Sequence, residues 1–256
     1  MDSQGEINFH VGQKFSDWAN SFAGCDGGNI RGRIWFCGIE FGGKEDFNLE
    51  KVNEPIHYSE DQLNEWFKVQ YDQKTLKLYA SILGEGIDED KYKEVAIQRK
   101  AFDKDSDVFK MNLYPLAFKD TSDDLWNKDF YNATGIPTKE IYRAYCQIYR
   151  FKTINSWVIK NKDTLKLIIC TGLSYTKDFI MAFEGMEGVH REPKEKMVMD
   201  KSMKYKVING DRTLLVIIPF LGWRKYDLYS NELIKEFGKE INNLCQDKIG
   251  LDFHRT

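Results

Sequence analysis

Cysteine and histidine are both scarce in this chain of 256 residues, with five of the first and four of the second. Cys25, Cys37, Cys146, Cys170 and Cys245 are odd in number and widely spaced, with no C-x-x-C pair. That argues against an iron–sulfur centre or a structural zinc and leaves reduced core thiols as the expectation. His10, His57, His190 and His254 are equally scattered and make no H-E-x-x-H helix, so neither a bound metal nor another cofactor is expected. No apolar run approaches the roughly 20 residues that cross a bilayer, and no basic start precedes an apolar leader segment, so a soluble cytoplasmic protein is expected. Positive charge is not in excess: 37 Lys and Arg face 40 Asp and Glu, for a net charge of −3. Coating nucleic acid by bulk electrostatics is therefore disfavoured. Arg191, Lys194, Lys196, Lys201, Lys204 and Lys206 form a local basic span, diluted by Glu192 and Glu195 and read as a solvated loop.

Apolar residues are plentiful. At 42% hydrophobic and 14% aromatic, the chain can bury a full core, and with no repeat and no long linker it reads as one domain over residues 1–256. A helix is predicted over Val11 to Phe22, then a glycine-rich turn and a strand ending at Gly38. Ser59 and Gln62 form a capping box before one long helix carrying Leu63, Trp66, Phe67, Leu76, Tyr79 and Ile82, stopped by Gly84 and Gly86. Val108 to Leu113 is a second strand. A helix after Pro137 carries Ile141, Tyr145, Ile148 and Phe151 at helical spacing. Leu165 to Cys170 is a third strand, leading to a helix with Phe179, Ile180 and Phe183. Asn209-Gly210 turns a hairpin between Tyr205–Ile208 and a fourth strand, Thr213–Ile218. A final helix holds Leu233, Ile234, Phe237, Ile241 and Leu244. This alternation predicts an α/β fold of three layers, αβα, with a central, mainly parallel four-stranded sheet and an added hairpin strand.

In such a sheet the loops at the strand C-terminal ends share one crevice, where ligands bind. The first strand ends in Gly38-Ile39-Glu40-Phe41-Gly42-Gly43, a carboxylate framed by glycines. A charge placed there must meet solvent or do chemistry, because burying it unpaired costs several kcal/mol or more. The second strand ends in Asn112-Leu113-Tyr114-Pro115-Leu116-Ala117-Phe118, the third in Thr171-Gly172, and the fourth in Ile218-Pro219-Phe220-Leu221-Gly222-Trp223-Arg224-Lys225.

These four segments, in this order over roughly Trp35 to Leu244, resemble the uracil-DNA glycosylase superfamily, most closely its single-strand-selective monofunctional branch. Gly38 to Gly42 is similar to the family's first motif, which reads G-M-N-P-G, G-I-N-P-G or G-Q-D-P-Y. Asn112 to Phe118 is similar to the branch's N-x-C-P-L-x-F stretch. Ile218 to Gly222 stands where the family has H-P-S-P. Three departures accompany the matches: Phe41 for the motif proline, Glu40 for Asn or Asp, and Ile218 for the histidine that steadies the departing base.

The resemblance implies a metal-free DNA glycosylase that flips a nucleotide out of the helix and hydrolyses its N-glycosidic bond through an oxocarbenium-like state. Glu40 matches the water-positioning residue and Asn112 the base-reading residue; a loop charge and a loop cap are their ordinary alternatives. Gly38, Ile39, Phe41, Gly42, Phe47 and Tyr114 would line the base pocket. Phe41 or Phe47 would stack on the base or simply fill core. Gly42 replaces a tyrosine that excludes 5-substituted pyrimidines in the best-known branch, so a substituent at C5 should fit, unless the glycine merely permits a strained turn. Lys44, Gly222, Trp223, Arg224 and Lys225 fall where DNA would approach, the last three as an intercalating loop or as an exposed basic pair beside a tryptophan. The expected partner is DNA, bound by a monomer acting in base-excision repair or in defence against modified foreign DNA. The rival expectation is a catalytically silent nucleic-acid sensor or protein-binding module on the same fold.

Overall fold

The computed structural model describes residues 9–43, 47–119 and 121–255. Four five- or six-residue runs that are buried at every position form the centre of its sheet: β2 (Ile34–Gly38), β4 (Val108–Asn112), β6 (Leu167–Thr171) and β9 (Thr213–Ile218). Continuous apolar runs are what strands covered on both faces require. They lie parallel in the order β4-β2-β6-β9. The hairpin strand β8 (Lys201–Ile208) runs antiparallel to β9, across a turn in which Asn209, Gly210 and Asp211 all take positive φ.

The sheet is larger than the sequence suggested, with seven strands instead of four plus one. β1 (Gly27–Gly28) pairs antiparallel with β4 at one edge, and β7 (Lys194–Val198) pairs antiparallel with β8 at the other. The basic span is thus an edge ribbon and not a loop. Exposed lysines on an edge strand discourage pairing with another chain, and Lys206 is anchored inward, ion-paired with Glu184. A separate ladder joins β3 (Phe41–Gly42) to β5 (Ala117–Phe118), in parallel.

Helices cover both faces. On one, Trp35, Phe109, Ile168 and Leu215 pack with residues of α1 (Gln13–Ala19), α5 (Lys128–Thr134), α6 (Lys139–Tyr145), α7 (Phe151–Lys160) and α8 (Thr176–Glu184). On the other, Phe36, Val108, Ile169 and Val216 pack with α2 (Glu60–Trp66), α3 (Gln70–Ile82), α4 (Glu89–Gln98) and α9 (Asn231–Ile249).

Two helices differ from expectation in ways that shape the site. The long helix after Ser59 is broken between Trp66 and Gln70. Residues five apart on one helix point about 140° from each other, so an unbroken helix could not aim both Trp66 and Tyr71 at one place. The break lets Trp66 stack on Phe102, centroids 4.4 Å apart, while Tyr71 bonds Thr171 Oγ1 at 2.8 Å. Between α6 and α7 the helix widens into a π-turn over Cys146–Arg150. The inserted residue turns Ile148, expected in the core, out to solvent. It also delivers Arg150 into the interior, where the guanidinium donates to the carbonyls of Ala19, Ala23, Asn112 and Leu113 at 2.6–3.2 Å.

Candidate functional site

A cavity of about 630 Å³ opens at the C-terminal ends of β2 and β4, walled on one side by α2 and α3. Gly38, Ile39, Glu40 and Gly42 reach it from β2 and the residues beyond, Asn112 from β4, and Phe220 from the segment after β9. The sheet therefore brings together both candidate catalytic residues and three of the candidate pocket residues.

Asn112 is 4% exposed, and its backbone is fixed from several sides. Its N–H donates to Gly24 O at 2.7 Å, its carbonyl accepts from Arg150, and the next two amides donate to Gly38 O and Ile39 O. Its side-chain amide has no hydrogen-bond partner among the described residues, although Asn112 lines the cavity. Capping the following loop is thus not its role; the backbone and Arg150 do that. At Gly38, its Cα partner across the ladder, a Cβ would collide with Asn112 Oδ1, so the glycine leaves the amide its present place.

At Gly42 the sequence left two readings open, and the geometry separates them. Its φ is not positive, and a Cβ placed there meets nothing within 4 Å among the described residues. The glycine relieves no strain and leaves open space. Gly43, at φ 140°, takes the conformation that side chains avoid.

Glu40 is less accessible than a water-positioning carboxylate was expected to be. Its side chain is 3% exposed and pairs with Nζ of Lys139, itself fully buried, at 3.0 Å, with Arg143 at 3.8 Å. Lys139 also donates to Ser122 O and sits 3.6 Å from the centroid of Phe118. Burial pushes the Glu40 carboxyl above its ordinary value, and the Lys139 ammonium opposes the rise. Burial pushes the Lys139 ammonium down, against the pull of Glu40. Glu40 Oε1 is buried and accepts no hydrogen bond.

Several cavity residues were not singled out in the sequence. Tyr71 stacks on Phe220 with centroids 5.4 Å apart and planes at 27°. Lys110, on the same strand face as Asn112, is buried between Asp26 and Asp72, and its ammonium lies 4.3 Å from the Trp66 ring centroid. Burial lowers the Lys110 pKa, but the two carboxylates outweigh it and leave the ammonium above its ordinary value. The available signal was a lysine inside an otherwise apolar strand run, since a buried charge requires partners. Nothing comparable marked Tyr71 or Phe220.

Other candidates lie elsewhere. Phe47 packs edge-on against Phe130 at 5.0 Å, away from the cavity. Tyr114 is fully buried among Tyr142, Phe151 and Tyr175, and its hydroxyl donates to Asp178 at 2.9 Å. Tyr114 is a core residue, and Phe47 is half-buried against the core. Lys44 and the side chain of Phe41 lie outside the described residues. Ile218 is buried in the core beneath α3 and α9 and is not part of the cavity wall. Beyond Phe220, Trp223, Arg224, Lys225 and Tyr226 form an exposed loop, Trp223 being 72% accessible. Lys74 supports it, donating to the carbonyls of Gly222 and Leu228 and lying 4.4 Å from the Trp223 ring centroid.

Among the described residues, no group of three or more His, Cys, Asp or Glu is arranged to hold a metal, and no helix is long and apolar enough to cross a membrane. All five cysteines are buried and unbonded. Comparison with protein-family models, with curated proteins and with solved structures finds no match to this chain.

Proposed function

We propose that the chain is a monofunctional DNA glycosylase of the uracil-DNA glycosylase type, which flips out a modified, 5-substituted pyrimidine and hydrolyses its N-glycosidic bond. The observation that carries the reading is the Asn112 amide: carried on a fixed backbone, unpartnered among the described residues, and presented to a cavity with aromatic walls. Two donors and one acceptor on that amide can pair with the edge of a pyrimidine. The Tyr71–Phe220 pair supplies ring faces for stacking, and the empty side of Gly42 gives volume for a C5 substituent.

In this reading Glu40 aligns a water with C1′ and stabilises the positive charge that develops on the sugar. It must be ionised to do either. Desolvation works against ionisation and Lys139 opposes that rise, so the buried ion pair is part of the machinery. The exposed loop from Trp223 to Lys225 serves as the DNA-contacting element, with Arg224 on phosphate and Trp223 stacking where the base has left. We propose DNA as the partner and a cytoplasmic monomer as the working form, in repair or in defence against modified foreign DNA.

A second reading, the catalytically silent sensor or protein-binding module, has two observations in its favour: Glu40 is already ion-paired, and no histidine is among the described residues that line the cavity. Binding and base release measured on the same panel of modified oligonucleotides distinguish the two. Release that depends on Asn112 supports the glycosylase; binding without release of any base supports the sensor.

A further inference from the structure

The walls of the cavity hold a polar cluster that base flipping and bond hydrolysis leave unused. Lys110 Nζ donates to Asp26 Oδ2 at 2.5 Å and forms a second ion pair with Asp72 Oδ1 at 2.7 Å. All three side chains are about nine-tenths buried or more, and all three residues line the cavity. Asp26 Oδ1 is buried and accepts no hydrogen bond, whereas Asp72 Oδ1 has the Lys110 ammonium beside it. A buried acceptor without a donor is costly, and here it sits where a ligand would lie.

We propose that Asp26, Lys110 and Asp72 form a subsite for a polyhydroxylated substituent carried by the flipped pyrimidine, an inference that rests on the glycosylase reading above. Three observations select this chemistry. Two carboxylates against one ammonium give the cluster one net negative charge, which repels phosphate or carboxylate. An apolar group would leave Asp26 Oδ1 unsatisfied, and an amine would meet the Lys110 ammonium at close range. A hydroxyl suits the cluster because it both donates and accepts: it can give its proton to Asp26 or Asp72 and take an N–H from Lys110.

Distance and volume set the size of the group. Lys110 and Asn112 are two residues apart on one strand face, roughly 6–7 Å along the strand. A base paired to Asn112 reaches Lys110 only through a substituent several atoms long. The cavity of about 630 Å³ falls in the range of roughly 300–1,000 Å³ that holds drug-sized ligands, more than a lone pyrimidine ring fills.

The test uses free nucleosides with the full-length protein, so that binding is read apart from catalysis. Three are titrated by calorimetry: deoxyuridine, deoxyuridine carrying a trihydroxypropyl group at C5, and the same compound with every hydroxyl O-methylated. The hydroxylated nucleoside should bind at least about tenfold tighter than its O-methylated form, since hydrogen bonds to charged groups carry that much discrimination. In Asp26→Asn and Asp72→Asn the preference should shrink to within about twofold. The comparison on the parent protein stands even if a variant fails to fold. Equal affinities, a preference for the O-methylated form, or no measurable binding of the hydroxylated nucleoside overturns the proposal. Base release from oligonucleotides carrying the same groups is measured separately. Release without hydroxyl preference sinks the subsite alone, whereas preference in binding without release sinks the glycosylase reading and leaves the subsite.

Discussion

Asn112 Oδ1 occupies the space that a side chain on Gly38 would need, and the two residues face each other as Cα partners across β2 and β4. A methyl group on Gly38 forces the amide to move, because the side-chain end is the part free to yield. Gly38→Ala should therefore fold, with a melting temperature lowered by only about 2–4 °C for a loss of about 1 kcal/mol. It should lose discrimination between bases to the extent that Asn112→Ala does, roughly 1–3 kcal/mol. Parent-like discrimination in Gly38→Ala would remove Asn112 from base reading.

Glu40 and Lys139 make a prediction about pH. Glu40→Gln should bind DNA nearly as the parent does but lose about a hundredfold or more in single-turnover rate. Because burial raises the Glu40 carboxyl, the acid limb of the parent's pH–rate profile should lie above the ordinary carboxylate range. Lys139 holds that pKa down, so Lys139→Met should raise it further and shift the limb to higher pH. A limb that stays in place, or moves to lower pH, would show that Glu40 is not the group that must be ionised.

The parts of the fold written as pattern were legible in the sequence. Four buried strands show as mainly apolar runs, interrupted in β4 by Lys110, and the Asn209-Gly210 turn marks the antiparallel hairpin. β7 was not legible, since Lys194, Glu195 and Lys196 carry the charge of an edge and none of the alternation of a half-buried strand. The break between α2 and α3 contains no glycine or proline and is imposed by packing of Trp66 on Phe102. In the site, Glu40, Asn112 and Gly42 stood in order along the chain, so their convergence followed from parallel strands. Lys139 and Asp26 come from distant segments, and only tertiary structure brings Asp26 to the cavity and Lys139 to Glu40. Phe47 and Tyr114 were named for their nearness in sequence to the motifs, and in both the core claimed the aromatic ring.

The open side of Gly42 predicts a change of specificity. Gly42→Tyr places its ring in space now empty, and its backbone is free of left-handed strain, so the variant should fold. It should abolish excision of a 5-substituted base while sparing activity on the unsubstituted one. Equal loss on both substrates, or equal retention, would show that this position does not set substrate size.

Ile218 occupies the sequence place of the family's histidine, yet it lies in the core. Ile218→His buries an imidazole without a partner and should cost roughly 1–3 kcal/mol in stability, read by thermal denaturation, with no gain in uracil excision. A rise in uracil activity in a folded variant would mean that the end of β9 reaches the base after all.

The most direct test of the glycosylase reading is strand cleavage after alkaline treatment of end-labelled DNA, single- and double-stranded, carrying one modified pyrimidine at a known position. Incubation with the parent protein should create an alkali-labile site at a 5-substituted pyrimidine, and Glu40→Gln should fail to create it under conditions where it still binds the same DNA. DNA that stays intact after alkali across the whole panel, despite measurable binding, would contradict the account.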